Sequence, residues 1–312
     1  MRVLITGVTG FAGRHLAAYA LGRRAEVYGL VRGTQKKSFP GVKTLRADLL
    51  DPDALRAAVR KARPERIFHL AGQASVPEAF KEPAKTLRTN VEGTRNLLEA
   101  ALALRPPPKV LVAGSGEEYG ASPRRGKLRE DALMRPLNPY SLSKVLQDLL
   151  SFRYFSHYGL PVLRTRAFNH IGPGQNERYS ASGFAKQAAA IALGLQKPEI
   201  RVGNLRAVRD FTDVRDVARA YWLTLEKGKP GEVYNISSGK GRRVAEILRY
   251  YLKGSSVKIR VVQDPSRMRP SDTPYFVGDA SKLRRVTGWK PRIGFERTLA
   301  DILEDWKERL HG

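Results

Sequence analysis

The stretch from Arg2 to Leu21 constrains this chain most. Arg2-Val3-Leu4-Ile5-Thr6 is a short β-rich apolar run, Gly7, Gly10 and Gly13 follow at three-residue spacing, and Leu16, Tyr19 and Leu21 then recur with helical period. Strand, glycine turn and helix open a βαβ unit, in which glycines let the backbone approach a ligand closely. A helix starting there aims free N–H groups and the positive end of its dipole past the strand end, which suits a pyrophosphate. The spacing is G-x-x-G-x-x-G, not G-x-G-x-x-G. The pattern predicts a nucleotide at the turn; the plainer alternative is a tight strand–helix junction.

The alternation continues. A second strand, Glu26–Val31, ends at Arg32. An acid about 20 residues past the glycines would hold a ribose 2′-hydroxyl. Arginine stands there instead and can pair with a 2′-phosphate, so NADP(H) is expected over NAD. A strand over 42–47 leads to Asp48-Leu49 and to a helix with Asp51 as N-cap and Pro52 in its first turn. Arg66–Leu70 is a buried strand running into Ala71-Gly72-Gln73-Ala74-Ser75, and a long helical pattern covers Glu78 to Leu104, including Asn90. Lys109–Ala113 is a strand ending at Gly114-Ser115-Gly116-Glu117, and a loop with Pro136 and Pro139 enters a helix at Tyr140. One more strand begins at Pro161. The fold class expected is α/β, a doubly wound parallel sheet of the Rossmann kind, whose ligands lie past the carboxyl ends of the strands. Gly7, Arg32, Ser75, Ser115 and the loop before Tyr140 all fall there.

After Arg166 the rhythm breaks into loops, short strands and helices, as in a smaller mixed α/β substrate lobe. The division expected is 1–166 with about 210–238 for the nucleotide domain, and 167–209 with about 239–312 for the substrate lobe. A hydrophobic share of 42% in 312 residues suits a full core. The chain has no cysteine, which removes disulfides and thiolate chemistry, and its five histidines show no metal-ligand spacing. No apolar run is long enough to span a bilayer, and the chain starts on a strand rather than a leader, so a cytoplasmic protein is expected. The net charge of +26 calls for an acidic partner, but it is spread along the chain without a basic tail or aromatic-interleaved stripe. A phosphate-bearing small molecule and a solvated basic surface are therefore favoured over nucleic acid.

Tyr140 and Lys144 stand at i and i+4, on one helix face. A phenol titrates near about pH 10, and a neighbouring ammonium lowers that value, so the pair can exchange a proton with a substrate oxygen. Alone, the pair reads as a surface feature of an ordinary helix; the convergence of strand ends upon it makes it a candidate catalytic centre.

With these motifs in place, the chain resembles the extended short-chain dehydrogenase/reductase family over essentially its whole length. The resemblance rests on the Gly7–Gly10–Gly13 turn, Asp48-Leu49, Leu70-Ala71, Asn90, Ser115, and Tyr140 with Lys144. Phe168–Gly174, Gly203-Asn204-Leu205, Arg209-Asp210-Phe211 and Arg269-Pro270-Ser271-Asp272 are similar to the nucleotide-sugar branch acting on GDP-mannose derivatives. The resemblance implies Ser115, Tyr140, Lys144 and Glu117 as catalytic residues. It implies cofactor contacts from Gly7, Gly10, Phe11, Ala12, Gly13, Arg32, Asp48, Leu49, Leu70, Ala71, Gly72, Asn90, Tyr140 and Lys144. It implies substrate contacts from Gln73, Ser75, Asn169, Lys186, Asn204, Arg209, Arg269 and Asp272, with Arg209 and Arg269 on the diphosphate. The activity implied is NADPH-dependent reduction of a GDP-linked 4-keto-6-deoxymannose. Glu117 keeps 4,6-dehydration open, with 4-epimerisation and an RNA-binding reuse of the fold as further alternatives. A homodimer through a four-helix bundle is implied in the same way.

Overall fold

The structure is a computed structural model that describes residues 1–33, 39–120, 126–268 and 273–311. Six strands, β1 (Arg2–Thr6), β2 (Glu26–Val31), β3 (Val42–Arg46), β4 (Arg66–His69), β5 (Lys109–Ser115) and β6 (Val162–Ala167), lie parallel in one sheet. The short strands β7 (His170–Ile171), β8 (Glu199–Val202), β9 (Val208–Asp210) and β10 (Thr212–Asp213) stand outside it, and β11 (Val233–Ile236) returns to pair with β6. The sheet order β11-β6-β5-β4-β1-β2-β3 makes the chain reverse its direction of progress between β1 and β4. Such a reversal leaves a crevice beyond the carboxyl ends of the strands.

Successive residues of a strand face opposite sides of the sheet, and the core follows that period. Val3 and Ile5 enter a core with Leu16, Phe68 and Trp222, enclosed by α1 (Phe11–Gly22) and, later in the chain, α8 (Val214–Lys227). Leu4 enters the opposite core with Leu55, Ile67 and Leu97. That side is covered by α2 (Pro52–Ala62), α5 (Gly93–Leu102) and α6 (Pro139–Tyr158). Asp51 caps α2 as expected, its carboxylate accepting Ala54 N–H at 3.0 Å, with Pro52 at the first position. Asn138 caps α6 likewise, accepting Ser141 N–H at 2.8 Å.

A third core belongs to the second lobe, where α7 (Ser180–Ala192), α9 (Val244–Lys253) and α11 (Phe295–His311) pack together beside β8. There β12 (Gly241–Arg243) and β14 (Tyr275–Phe276) flank β9, and β13 (Arg260–Gln263) pairs with β8. Ala280, Leu283 and Trp289, around α10 (Ser281–Thr287), lie in the first core rather than the third. The segment 280–289 therefore crosses back to the nucleotide side of the expected division.

The expected continuous helix from Glu78 to Leu104 is not formed. It is divided into α3 (Val76–Lys81), α4 (Pro83–Leu87), a wide π turn over Arg88–Glu92, and α5. Pro83 lacks an N–H and drives Glu82 out of the helical region (φ −130°, ψ 65°), which ends the first piece. The π turn carries Asn90, buried, toward the strand ends.

Candidate active site

The glycine turn closes on the neighbouring strand end. Gly7 adopts φ +71°, and a Cβ there would lie 2.8 Å from Ala71 N; a Cβ on Gly13 would run into the Gly7 carbonyl. Neither position admits a side chain. Gly10 caps α1 with no side-chain hydrogen bond, and the first turn has no acid. The uncapped N–H groups and the side-chain-free cradle fit a dinucleotide pyrophosphate. Phe11 stacks on His170 at 5.8 Å, and His15 Nε2 pairs with the Pro173 carbonyl at 2.9 Å, so the start of α1 touches the loop that enters the second lobe. Ala12 packs against the first core beside them.

Arg32 is exposed at the end of β2. Asp48 shapes the turn after β3, its carboxylate accepting Leu50 N–H at 2.9 Å, and the buried Leu49 offers its carbonyl to Asn96. Leu70 packs against the first core and Ala71 against the second.

Beyond Ala71 the loop is held by Asn90. Its Oδ1 accepts Gln73 N–H at 2.8 Å, and its Nδ2 donates to the Gln73 carbonyl and to Ser143 Oγ on α6. A Cβ on Gly72 would lie 2.7 Å from Asn90 Oδ1. Gln73 Nε2 donates to the Ser75 carbonyl and to Thr86, and Ser75 caps α3. In this structure both residues brace the loop that lines the crevice.

Ser115, at the end of β5, and Tyr140, in the first turn of α6, come within hydrogen-bonding reach of one another. Burial lifts the phenol well above its ordinary pKa; the Ser115 hydrogen bond opposes this, and Glu117, Tyr179 and Glu118 add to the rise. The lowering expected from Lys144 is not what the site shows: the phenol is raised instead, and it holds its proton at neutral pH. Lys144 itself turns down to the sheet: Nζ donates to the Ala113 carbonyl at 2.9 Å and to Gln147 Oε1 at 2.7 Å. Burial pulls this ammonium down to about 8, against an opposing pull from Glu118. Glu117 is half-buried nearby, accepting Asn138 Nδ2 at 3.3 Å.

A string of hydrogen bonds that the sequence did not single out runs beneath this centre. Ala71 N–H donates to Thr6 Oγ1 (3.1 Å), which faces His69 Nδ1 (2.8 Å); His69 Nε2 faces Thr94 Oγ1 (2.9 Å), and the Thr94 hydroxyl donates to the Asn90 carbonyl. One direction satisfies every group: Thr6 donates to Nδ1 and the Nε2–H donates to Thr94. Gln147 joins the string to Lys144 through Thr94 at 2.7 Å. Burial and the Lys144 charge push His69 down to about 3, so it is neutral.

The expected substrate residues are spread more widely. Asn169 is exposed after β6, its carbonyl accepting Thr212 N–H. Asn204 Oδ1 accepts Arg206 N–H, and Arg209, half-buried on β9, donates to the Val208 and Thr273 carbonyls. Lys186 is paired with Glu177 and lies over the Trp306 ring at 5.4 Å, within the second lobe. Arg269 and Asp272 lie outside the described residues. Among the described residues, no group of three His, Asp or Glu side chains could hold a metal ion, and no helix is long and apolar enough to cross a membrane.

The chain matches the model of the GDP-mannose 4,6 dehydratase family over residues 4–302. A GDP-6-deoxy-D-mannose reductase of Pseudomonas aeruginosa is 37% identical over 310 residues, 99% of this chain and 98% of that protein. GDP-mannose 4,6 dehydratase 2 of Arabidopsis thaliana is 31% identical, covering 97% of this chain and 86% of the relative. Among solved structures, RMD from Pseudomonas aeruginosa complexed with NADPH superimposes with a TM-score of 0.85 at 35% identity, over 99% of this chain and 100% of the other.

Proposed function

This chain belongs to the GDP-mannose 4,6 dehydratase family, nucleotide-sugar enzymes of the short-chain dehydrogenase/reductase type, and from that premise we propose that it reduces the 4-keto group of GDP-4-keto-6-deoxy-D-mannose to GDP-D-rhamnose with NADPH. The observation that carries the reading is the Tyr140 phenol held within hydrogen-bonding reach of Ser115 at the end of β5. Reduction of a ketone needs a proton donor at the carbonyl oxygen, and a phenol with a second hydroxyl beside it supplies one.

The Gly7–Gly13 turn and the uncapped start of α1 suit the pyrophosphate, and Arg32 suits a 2′-phosphate. When bound, the dinucleotide supplies the hydride. The protein's part is positioning and proton delivery. Ser115 Oγ hydrogen-bonds the C4 oxygen and Tyr140 O–H gives its proton to it. Lys144 has three N–H donors, two of which go to Ala113 and Gln147. The third is available to the nicotinamide ribose or to Tyr140 as its charge builds. Arg209 and Arg269 serve the diphosphate, and Asn169 and Asn204 the sugar and base.

Similarity to the reductase extends over nearly the full length of both chains, which supports this reading. Dehydration is the second reading, favoured by one observation: Glu117 lies near enough to Tyr140 to act on its charge, and in that reading its carboxylate takes the proton from C5. Purified protein mixed with NADPH and the keto sugar tests the proposal. Loss of reduced-nicotinamide absorbance is the expected result, and conversion of GDP-mannose to the keto sugar without added NADPH would contradict it.

The proposal extends to a homodimer. Leu142, Leu146, Leu149 and Phe152 form an exposed apolar stripe along α6. Their spacing repeats on one helix face, as a helix packed against a second copy requires.

A further inference from the structure

The ammonium of Lys144 is held by buried groups whose hydrogen bonds can run in only one direction. Thr94, on α5, is wholly enclosed, and Gln147, His69 and Asn90 are nearly so. A threonine hydroxyl has one proton and two lone pairs. The Thr94 proton goes to the Asn90 carbonyl, 2.6 Å away, which can only accept. The two remaining neighbours, His69 Nε2 at 2.9 Å and Gln147 Nε2 at 2.7 Å, must then both donate to Thr94.

That fixes the Gln147 amide. With its nitrogen turned to Thr94, its oxygen accepts from Lys144 Nζ at 2.7 Å. A flipped amide would set its oxygen against the lone pairs of Thr94 and its NH2 against an ammonium, so no second arrangement competes. Lys144 gives another N–H to the Ala113 carbonyl at 2.9 Å. Two fixed N–H bonds on a tetrahedral nitrogen fix the third. That one is left for the crevice, where a Cβ on Gly72 would lie 4.0 Å from Nζ. We propose that Gln147 is a positioning residue for Lys144: held by Thr94, it stops the ammonium from turning and keeps the third N–H aimed at the nicotinamide ribose or the Tyr140 oxygen. The inference rests on reading Tyr140 and Lys144 as the proton-delivering pair.

The same groups reach the opposite wall of the site. Because His69 Nε2 donates to Thr94, its Nδ1 accepts from the Thr6 hydroxyl at 2.8 Å, and Thr6 Oγ1 accepts Ala71 N–H at 3.1 Å. Ala71 N is the atom that leaves no space for a Cβ on Gly7. Thr94 thus joins the wall of the glycine turn to the lysine. An apolar side chain in place of Gln147 leaves Thr94 with an empty lone pair, a small loss. It also leaves a buried ammonium N–H without its acceptor, which is the larger one. The damage therefore falls on Lys144.

The test is a double-mutant cycle on keto-sugar reduction with NADPH. Gln147→Met keeps the length of the side chain and removes the amide; it is expected to lower kcat about tenfold while nucleotide-sugar KM holds. In a Lys144→Met background the same change is expected to cost nothing further, whereas a merely structural role would lower both proteins equally. Thr94→Val is expected to reproduce the loss, and Thr94→Ser, which restores the hydroxyl, to recover most of it. Unchanged kcat in Gln147→Met, an equal loss in the Lys144→Met background, or Thr94→Ser as damaged as Thr94→Val overturns the inference. NMR of protein labelled with 15N at lysine gives a second readout, the Lys144 ammonium being assigned by its loss in Lys144→Arg. Its hydrogens are expected to exchange slowly in the wild type and about tenfold faster in Gln147→Met. Equal exchange in both overturns the inference. Should Gln147→Met fail to fold, the absence of a slowly exchanging Lys144 ammonium in the wild type does so. If the wild-type protein lacks keto-sugar reduction, the functional reading fails, and the exchange still decides the anchor on its own.

Discussion

Lys144 Nζ donates to the Ala113 carbonyl at 2.9 Å, tying the helix that carries Tyr140 to the strand that carries Ser115. The donor phenol and the hydroxyl beside it are thus held by one bond between α6 and β5. Removing only the phenolic O–H should leave that frame intact. Tyr140→Phe is expected to lower kcat by about 10²–10⁴-fold with nucleotide-sugar KM nearly unchanged. A rise in KM with kcat preserved contradicts the donor role; steady-state kinetics decides.

Arg32 is exposed where β2 ends, with no acid beside it on the strand side. If its guanidinium pairs with a 2′-phosphate, Arg32→Glu replaces attraction by repulsion for NADPH and leaves NADH without that penalty. The expected outcome is a loss of about tenfold or more in NADPH affinity relative to NADH, measured by fluorescence titration. Equal weakening of both removes Arg32 from that site.

His69 makes stability depend on pH. It titrates near 6.5 when unfolded and at about 3 in the buried string between Thr6 and Thr94. Between those values the unfolded chain binds a proton that the folded chain refuses. Stability therefore falls as pH drops through this window, by up to about 1.4 kcal/mol per unit from this group. In His69→Gln the fall between pH 7 and pH 5 should be shallower, read from urea midpoints. Parallel losses in both proteins would show that His69 is not the group responsible.

The stripe on α6 gives a separate test. Leu149 and Phe152 are exposed large apolar residues in the middle of that helix. Placing a charge there should cost a dimer much more than a monomer, because the monomer leaves the position in water. Leu149→Glu is expected to convert a dimer to a monomer in analytical ultracentrifugation with thermal stability of the monomer little changed. A sedimentation coefficient identical to wild type excludes this face as the interface.

Local signals carried much of the fold. Gly7 and Gly13 stand where backbone contacts leave no space for a side chain, and Asp51 and Pro52 open α2 at the positions their chemistry favours. The Gly13 and Asp51 outcomes depend on neighbours in sequence, while the wall against Gly7 is the distant end of β4 at Leu70 and Ala71. The break at Glu82 was also local, since Pro83 was visible, but the apolar period across it masked the stop. The buried partners of the site were not legible. His69 meets Thr94 across 25 positions, Glu118 meets Arg166 across 48, and Asn90 meets Ser143 across 53. Each pairing exists only because the fold brings β4, β5, β6 and the helices packed on them together. The anchoring of Lys144 was not legible for the same reason: the i, i+4 spacing sets it on the Tyr140 face, and only the fold brings the carbonyl of Ala113, 31 residues earlier, to its ammonium.

The central claim is that reduction occurs at the sugar's C4 with the proton from Tyr140. Reaction of GDP-4-keto-6-deoxymannose with NADPH deuterated at the nicotinamide C4, followed by NMR of the sugar, tests it most directly. The account predicts one deuterium at C4 of the hexose and one NADPH oxidised per sugar reduced, with both slowed about 10²–10⁴-fold in Tyr140→Phe. A hexose without deuterium at C4, or formation of the keto sugar from GDP-mannose with no NADPH oxidised, contradicts it.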